Sequence, residues 1–259
     1  MKISFWNGRL RAALIHLGIS LVVAALAALL VFLVWYPYPY REISGGRDLF
    51  LLVVAVDVIM GPLLTLTIFN LKKPRRELRR DLAVIGLLQL AALSYGLWTM
   101  AVARPVHLVF EIDRFRVVHA IDVPADLLSQ APAGLRHLPL TGPTLLSVRE
   151  FRNAKESFDA TMAALQGIAL GARPDLWQSY ARAKSQITAR ALPLAQLKTR
   201  FPAHMNEIDA ALASAPRASP ASSSGPVGYI PLTGRNSFWT VLIDMNTADI
   251  IAFVPIDSF

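Results

Sequence analysis

The sequence predicts a membrane protein: three N-terminal transmembrane α-helices followed by an α+β soluble domain with an antiparallel sheet and about three helices. Three observations carry this. First, 54% of the 259 residues are hydrophobic and only 17% are charged, too apolar for a soluble domain of this length. Second, the apolar excess is concentrated in three runs within residues 1–103. Third, from Arg104 onward the pattern changes to short alternating stretches and helical spacing, which marks a domain boundary and a second domain over 104–259.

The first span is expected over about 12–35, interrupted only by His16 and Ser20, and at about 1.5 Å per residue it crosses a core of about 30 Å. Lys2, Arg9 and Arg11 followed by Ala-rich sequence resemble a signal peptide, but the apolar run far exceeds the roughly 7–15 residues of an h-region, so an uncleaved anchor is expected. The second and third spans are expected over about 49–69 and 82–103.

Loop charge orients them. Lys72, Lys73, Arg75, Arg76, Arg79 and Arg80 stand against only Glu77 and Asp81 between the second and third spans, which predicts a cytoplasmic loop. The basic N-terminus agrees, and three crossings then place 104–259 in the periplasm of a multi-pass inner-membrane protein. Trp35, Tyr36, Tyr38, Tyr40 and Trp98 would form the outer aromatic belt. The strong basicity is mainly this topology signal, since residues 1–103 carry a net +6 and 104–259 a net +2. Membrane lipid is therefore the expected partner of the basic loop, and nucleic acid is not expected as a partner because no reader motif accompanies the charge.

Within the second span Asp57 is a carboxylate among apolar residues, followed by Gly61 and Pro62. Near a helix centre such a group costs about 2.5–3.5 kcal/mol to insert, so it should face the bundle interior and find a partner. Matching depths from the span ends predicts that Ser94 or Tyr95 approaches it, with Gln89 and His16 shallower. The set Asp57, Gly61, Pro62, Ser94 and Tyr95 is the candidate intramembrane polar contact or partner-helix site. A bundle-locking hydrogen bond and close packing at Gly61 account for the same residues structurally.

In the second domain, alternation at Val106, Leu108, Phe110 and Ile112, followed by 115–120, predicts a hairpin, and 144–148 a further strand. Phe151, Ala154, Phe158, Met162, Leu165 and Ala169 at helical spacing predict a helix with a core face; further helices are expected over 175–191 and 202–213. Residues 213–226, with five serines and three prolines, read as a mobile loop. Strands are expected at 229–232, 238–244 and 250–254. Pro139-Leu140-Thr141-Gly142 recurs as Pro231-Leu232-Thr233-Gly234, a faint internal repeat.

Catalytic constellations are lacking in the sequence: no Gly-rich phosphate loop, no His-Glu-x-x-His, no Gly-x-Ser-x-Gly and no cysteine at all. No catalytic, cofactor-binding or metal residue is therefore assigned. His107 and His119 could meet across the hairpin, and Glu111 with Asp113 could mimic an acid pair beside Arg114 and Arg116, although charged hairpin ends commonly look like this.

Several segments carry a resemblance: Phe32-Leu33-Val34-Trp35-Tyr36-Pro37, Val56-Asp57-Val58-Ile59-Met60-Gly61-Pro62-Leu63-Leu64-Thr65-Leu66, Asp81-Leu82-Ala83-Val84-Ile85, Tyr95-Gly96-Leu97-Trp98, Ala103-Arg104-Pro105-Val106, Val109 to Phe115 and Gly234 to Phe259. Together they resemble the type IV pilin accessory proteins of the TfpX/TfpZ kind over nearly the whole chain, most weakly over 126–226. The resemblance implies a non-enzymatic, chaperone-like inner-membrane factor of the type IV pilus. It would assist stability, assembly or surface display of a specific major pilin, with other pilus assembly components as further partners. The rival readings are a membrane-bound envelope enzyme, such as a pilin- or glycan-modifying transferase, and a sensor, for which the expected cytoplasmic parts are too short.

Overall fold

The structure is a computed structural model that describes residues 2–70, 73–215 and 225–259. The chain forms two compact units, one of residues 1–41 with 45–103 and one of residues 42–44 with 104–259.

In the first unit, α1 (Lys2–Leu29) runs on into a π-helical turn over Leu30–Trp35; the single turn α2 (Tyr40–Ile43) follows, its last two residues belonging to the second unit. The second apolar helix is α3 (Gly46–Ala55), a π-helical turn over Val56–Met60 and α4 (Gly61–Ile68). The third is α5 (Arg75–Val102). Three stretches, Asn7–Trp35, Gly46–Ile68 and Arg75–Val102, are long and apolar enough to cross a membrane. Their outward faces carry exposed Leu, Ile and Val, as expected of helices solvated by lipid rather than water.

Two glycines allow the second and third helices to approach closely. A Cβ on Gly96 would stand 2.5 Å from Val53 Cγ1, and one on Gly61 would stand 1.8 Å from Gln89 Nε2. At one end of the bundle Ala27, Val31, Tyr36, Phe50 and Met100 form a buried cluster, in which the Tyr36 hydroxyl donates to the Met100 carbonyl at 3.0 Å.

The second unit is built on β1 (Pro105–Phe110), β2 (Phe115–His119), β3 (Thr144–Val148), α6 (Ala154–Leu165), β4 (Trp177–Ser179), α7 (Lys184–Arg190), β5 (Leu192–Pro193), α8 (Leu194–Arg200), α9 (Met205–Ser214), β6 (Val227–Thr233), β7 (Phe238–Asp244) and β8 (Ile250–Val254). The strands make one sheet in the order β4-β3-β1-β2-β6-β7-β8, with β5 beside β6. The sheet is mixed rather than antiparallel, because β1 runs parallel to β3 and β2 parallel to β6. Long connections bring β3 and β6 back in the same direction as their neighbours, and strand alternation is blind to direction. The β2–β6 pairing spans only Phe115 with Leu232 and Arg116 with Thr233, joining a β1–β2 half to a β6–β7–β8 meander.

Two cores flank this junction. Val106, Val109, Val118, Leu146, Leu176 and Trp177 fill one; Leu197, Ile208, Tyr229, Leu242, Val254 and Ile256 fill the other, under α8 and α9. Residues 42–44 join this unit, where Ser237 Oγ donates to the Ile43 carbonyl at 3.2 Å.

The hairpin expected from Val106 to Ala120 is present as β1 and β2, and the strands expected at 144–148, 229–232, 238–244 and 250–254 are present, the second of these running from Val227 to Thr233. The expected helix over 175–191 is instead strand β4, short 3₁₀ turns and α7, because Trp177 buries its indole and donates Nε1 to the Gly171 carbonyl at 2.7 Å while its backbone pairs with β3. Of the repeat, Pro139 to Gly142 is loop whereas Pro231 to Thr233 lies in β6, so the two copies are not structurally equivalent. Most of the segment 213–226 read as a mobile loop lies outside the described residues, and Ala213 and Ser214 close α9.

Candidate functional site

The intramembrane candidate is built by α1, the second helix and α5. Asp57 sits in the π-helical turn of the second helix and is only 9% exposed. Its carboxylate Oδ1 is buried without a hydrogen-bond partner. The turn widens just ahead of Gly61 and Pro62, where the proline ring cannot follow an undistorted helix without crowding the preceding turn. Gln89 reaches in from α5 and donates Nε2 to the Asp57 carbonyl at 3.1 Å. Two turns along, His16 Nδ1 pairs with Thr65 Oγ1 at 2.5 Å, and Ser20, one turn from His16, is also buried. A polar seam thus joins His16, Thr65, Gln89 and Asp57.

Asp57, Gly61 and Pro62 stand together on this seam, but Ser94 and Tyr95 do not. Both are exposed on α5, Tyr95 by 69%. Gln89, expected to lie shallower, is the α5 residue that reaches the level of Asp57, and Gly96, beside Ser94 and Tyr95, packs at the level of Val53. The inward face of α5 is the row Ile85, Gln89, Gly96 and Met100, from which Ser94 and Tyr95 stand about 160° and 100° round from Gly96 at about 100° per residue. His16 was set aside as shallow, yet it is the polar group that α1 contributes to the seam; its i, i+4 spacing with Ser20 in an otherwise apolar run was the available signal.

In the second unit the charged hairpin end is occupied by internal bonds. Arg116 Nε and the Gly171 amide both donate to Glu111 Oε1 at 2.8 Å, and Arg114 Nε donates to Asp113 Oδ1 at 2.8 Å, which holds the Asp113 carboxyl below the usual carboxylate range. His107 and His119 do not share a site. His107 pairs with Thr144 Oγ1 at 2.7 Å and stands edge-on to Trp177; burial lowers its pKa to about 4. His119 faces Asp122 at 3.1 Å. No cluster of metal-ligating residues occurs among the described residues.

The feature that sequence reasoning misassigned is α6. Its Phe158, Met162 and Leu165 were expected to face the core, but Phe158 is 62% and Leu165 76% exposed, and Ala160 is the residue the helix buries. Ala160 joins the core of Val106, Val109 and Trp177, while Phe158 and Leu165 lie on the outward side of the helix. The anchor is at the first turn. Asn153 caps it by accepting from the Glu156 amide at 2.9 Å, and Arg149 donates two bonds to the Glu156 carboxylate, at 2.9 and 2.6 Å. Arg149 and the Arg152 amide hold the Glu156 pKa down at about 2.

Three candidate membrane spans leading into a mixed α+β domain, with a buried carboxylate oxygen lacking a partner in one unit and an outward apolar helix face in the other, define a membrane protein of two units. A family model described as "Fimbrial assembly protein FimB" matches residues 4–45. The chain is 38% identical over 247 residues to "Fimbrial assembly protein, serogroup I" of Dichelobacter nodosus, covering 95% of this chain and 94% of that protein. It is 37% identical over the same shares to the serogroup E1 protein of that organism. To its protein of serogroups C1 and C2 it is 45% identical over 117 residues, 45% of this chain and 89% of that protein. The chain belongs to this fimbrial assembly protein family. No solved structure matches it.

Proposed function

We propose that this chain is a non-enzymatic accessory factor of type IV pilus assembly that acts on one major pilin, assisting its stability, assembly or surface display. The observation that carries the reading is that similarity to fimbrial assembly proteins spans both units, 95% of the chain. In this reading the protein sits in the bacterial inner membrane with the basic N-terminus and the 70–81 loop in the cytoplasm and residues 104–259 in the periplasm. A pilin awaiting assembly combines a membrane helix with a soluble head, and a matching partner needs a surface for each.

The seam supplies the first. Asp57 is a buried acceptor whose cost inside a bilayer is recovered when a partner helix brings a donor to it, and Gly61 keeps the helices thin beside it. The outward row of α6 supplies the second, an apolar stripe of the kind that packs into a groove or against a sheet.

The test is co-purification of pilin with the full chain, alongside surface piliation and total membrane pilin in a strain lacking it. Loss of surface pili with an unrelated pilin unaffected supports the allele-specific role. Unchanged piliation and pilin abundance refute it. Retention of pilin by an Asp57→Leu variant at the wild-type level would remove the seam from the contact.

A further inference from the structure

A groove of about 580 Å³ opens on the first unit at the end of the bundle that carries the basic segment 70–81, whose residues from Arg75 onward begin α5. Its walls are α1 and α5, and its floor is the end of α4 at Thr65 and Phe69. On α1 it is lined by Gly8, Arg11, Ala12, Ile15, His16 and Ile19, spaced so that one face of the helix meets it. From Gly8 to Ile19 is about 16 Å along the helix, close to half of a hydrocarbon core of about 30 Å. The groove is therefore one leaflet deep: apolar within apart from the His16–Thr65 pair, and cationic at its mouth.

Among the described residues the charge at the mouth is not engaged in salt bridges. On α5 the groove is lined by Leu82 and Gly86, and the same helix face continues at Arg79 and Arg75, three and seven residues before Leu82. Glu77 and Asp81 stand about 160° round the helix from Arg79, and Asp81 is engaged by Lys73 at 2.6 Å. Among the described residues Arg11, Arg75 and Arg79 carry no salt bridge. A site with arginines outside any salt bridge at the headgroup level and an apolar slot of acyl-chain length below them is complementary to an anionic amphiphile, of the kind a cytoplasmic leaflet supplies.

We propose that this groove holds an anionic phospholipid, its phosphate on Arg11 and Arg79 and an acyl chain along Ile15, Ile19 and Leu82. The bound lipid fills the wedge between α1 and α5, which α4 alone separates there. The groove meets the seam at the His16–Thr65 pair, and Asp57 itself does not line it.

The experiment uses the full chain, solubilised with equal amounts of phosphatidylglycerol and phosphatidylcholine of the same acyl composition, and counts retained lipid by mass spectrometry. Phosphatidylglycerol should be retained over phosphatidylcholine, and Arg11→Gln or Arg79→Gln should each lower that preference about fivefold. Gly86→Leu should release both lipids, since a Cβ there meets nothing within 4 Å and the longer side chain enters the groove without straining the helix. Arg80→Gln, which removes the same charge from a face turned away from Leu82, should leave the preference unchanged. Equal retention of the two lipids overturns the proposal, and so does an Arg80→Gln effect as large as that of Arg79→Gln, which would make the attraction diffuse. Lipid retention that survives Gly86→Leu overturns the groove as the site. A membrane polypeptide retained in place of lipid, and released by Gly86→Leu, assigns the groove to a helix and equally overturns it.

Discussion

Gln89 and Asp57 are joined across the second and third helices by a bond from a side-chain amide to a backbone carbonyl, 3.1 Å long. Its cause lies in the π-helical turn over Val56–Met60. An i to i+5 ladder directs the Gly61 amide to residue 56 and so away from residue 57, and the next residue, Pro62, has no N–H to give. Gln89 supplies the donor that the helix lacks.

Gln89→Leu should therefore leave a carbonyl unpaired in an apolar bundle and destabilise it by about 1–3 kcal/mol. Thermal unfolding in detergent, compared with Gln89→Asn and wild type, checks this. Wild-type stability in Gln89→Leu would mean that the carbonyl finds another donor.

His107 predicts a pH dependence. Its folded pKa of about 4 lies below the ordinary 6.5, so the unfolded chain gains a proton as pH falls through 6.5 while the folded chain does not until about 4. Stability is complete above 6.5 and is lost progressively down to 4, by about 2 kcal/mol at pH 5. Unfolding of the full chain at pH 7 and pH 5, followed by near-UV dichroism of Trp177, should show the loss, and His107→Gln should abolish this component of it.

Glu156 is shifted the opposite way for an acid. With its folded pKa near 2, its contribution to stability is present above the ordinary 4.5 and lost as pH falls toward 2. Glu156→Gln should cost about 1–2 kcal/mol and speed hydrogen exchange first in the amides of α6. Equal protection of α6 in both proteins would assign its anchorage to Ala160 instead.

Phe158→Ser with Leu165→Ser should leave the stability of the protein within about 0.5 kcal/mol, since both side chains are exposed. The same pair should lower pilin co-purification several-fold if α6 is the contact with the soluble head. A drop in stability of 2 kcal/mol or more would show instead that the row is buried in the working protein.

By itself the sequence determined the three apolar helices, the hairpin of β1 and β2 and the C-terminal strands, because lipid solvation and strand alternation leave their signatures in local composition. It also singled out Asp57, Gly61 and Pro62, since a carboxylate in an apolar run is conspicuous whatever surrounds it. Tertiary structure alone decided which helix face turned inward, putting Gln89 and His16 on the seam and Ser94 and Tyr95 outside it. It decided too that β4 replaces a helix, that two strand pairs run parallel and that α6 shows its apolar row to the exterior. Periodicity reports that a face exists; only packing, through Gly61, Gly96 and Ala160, selects the face that lies close enough to be buried.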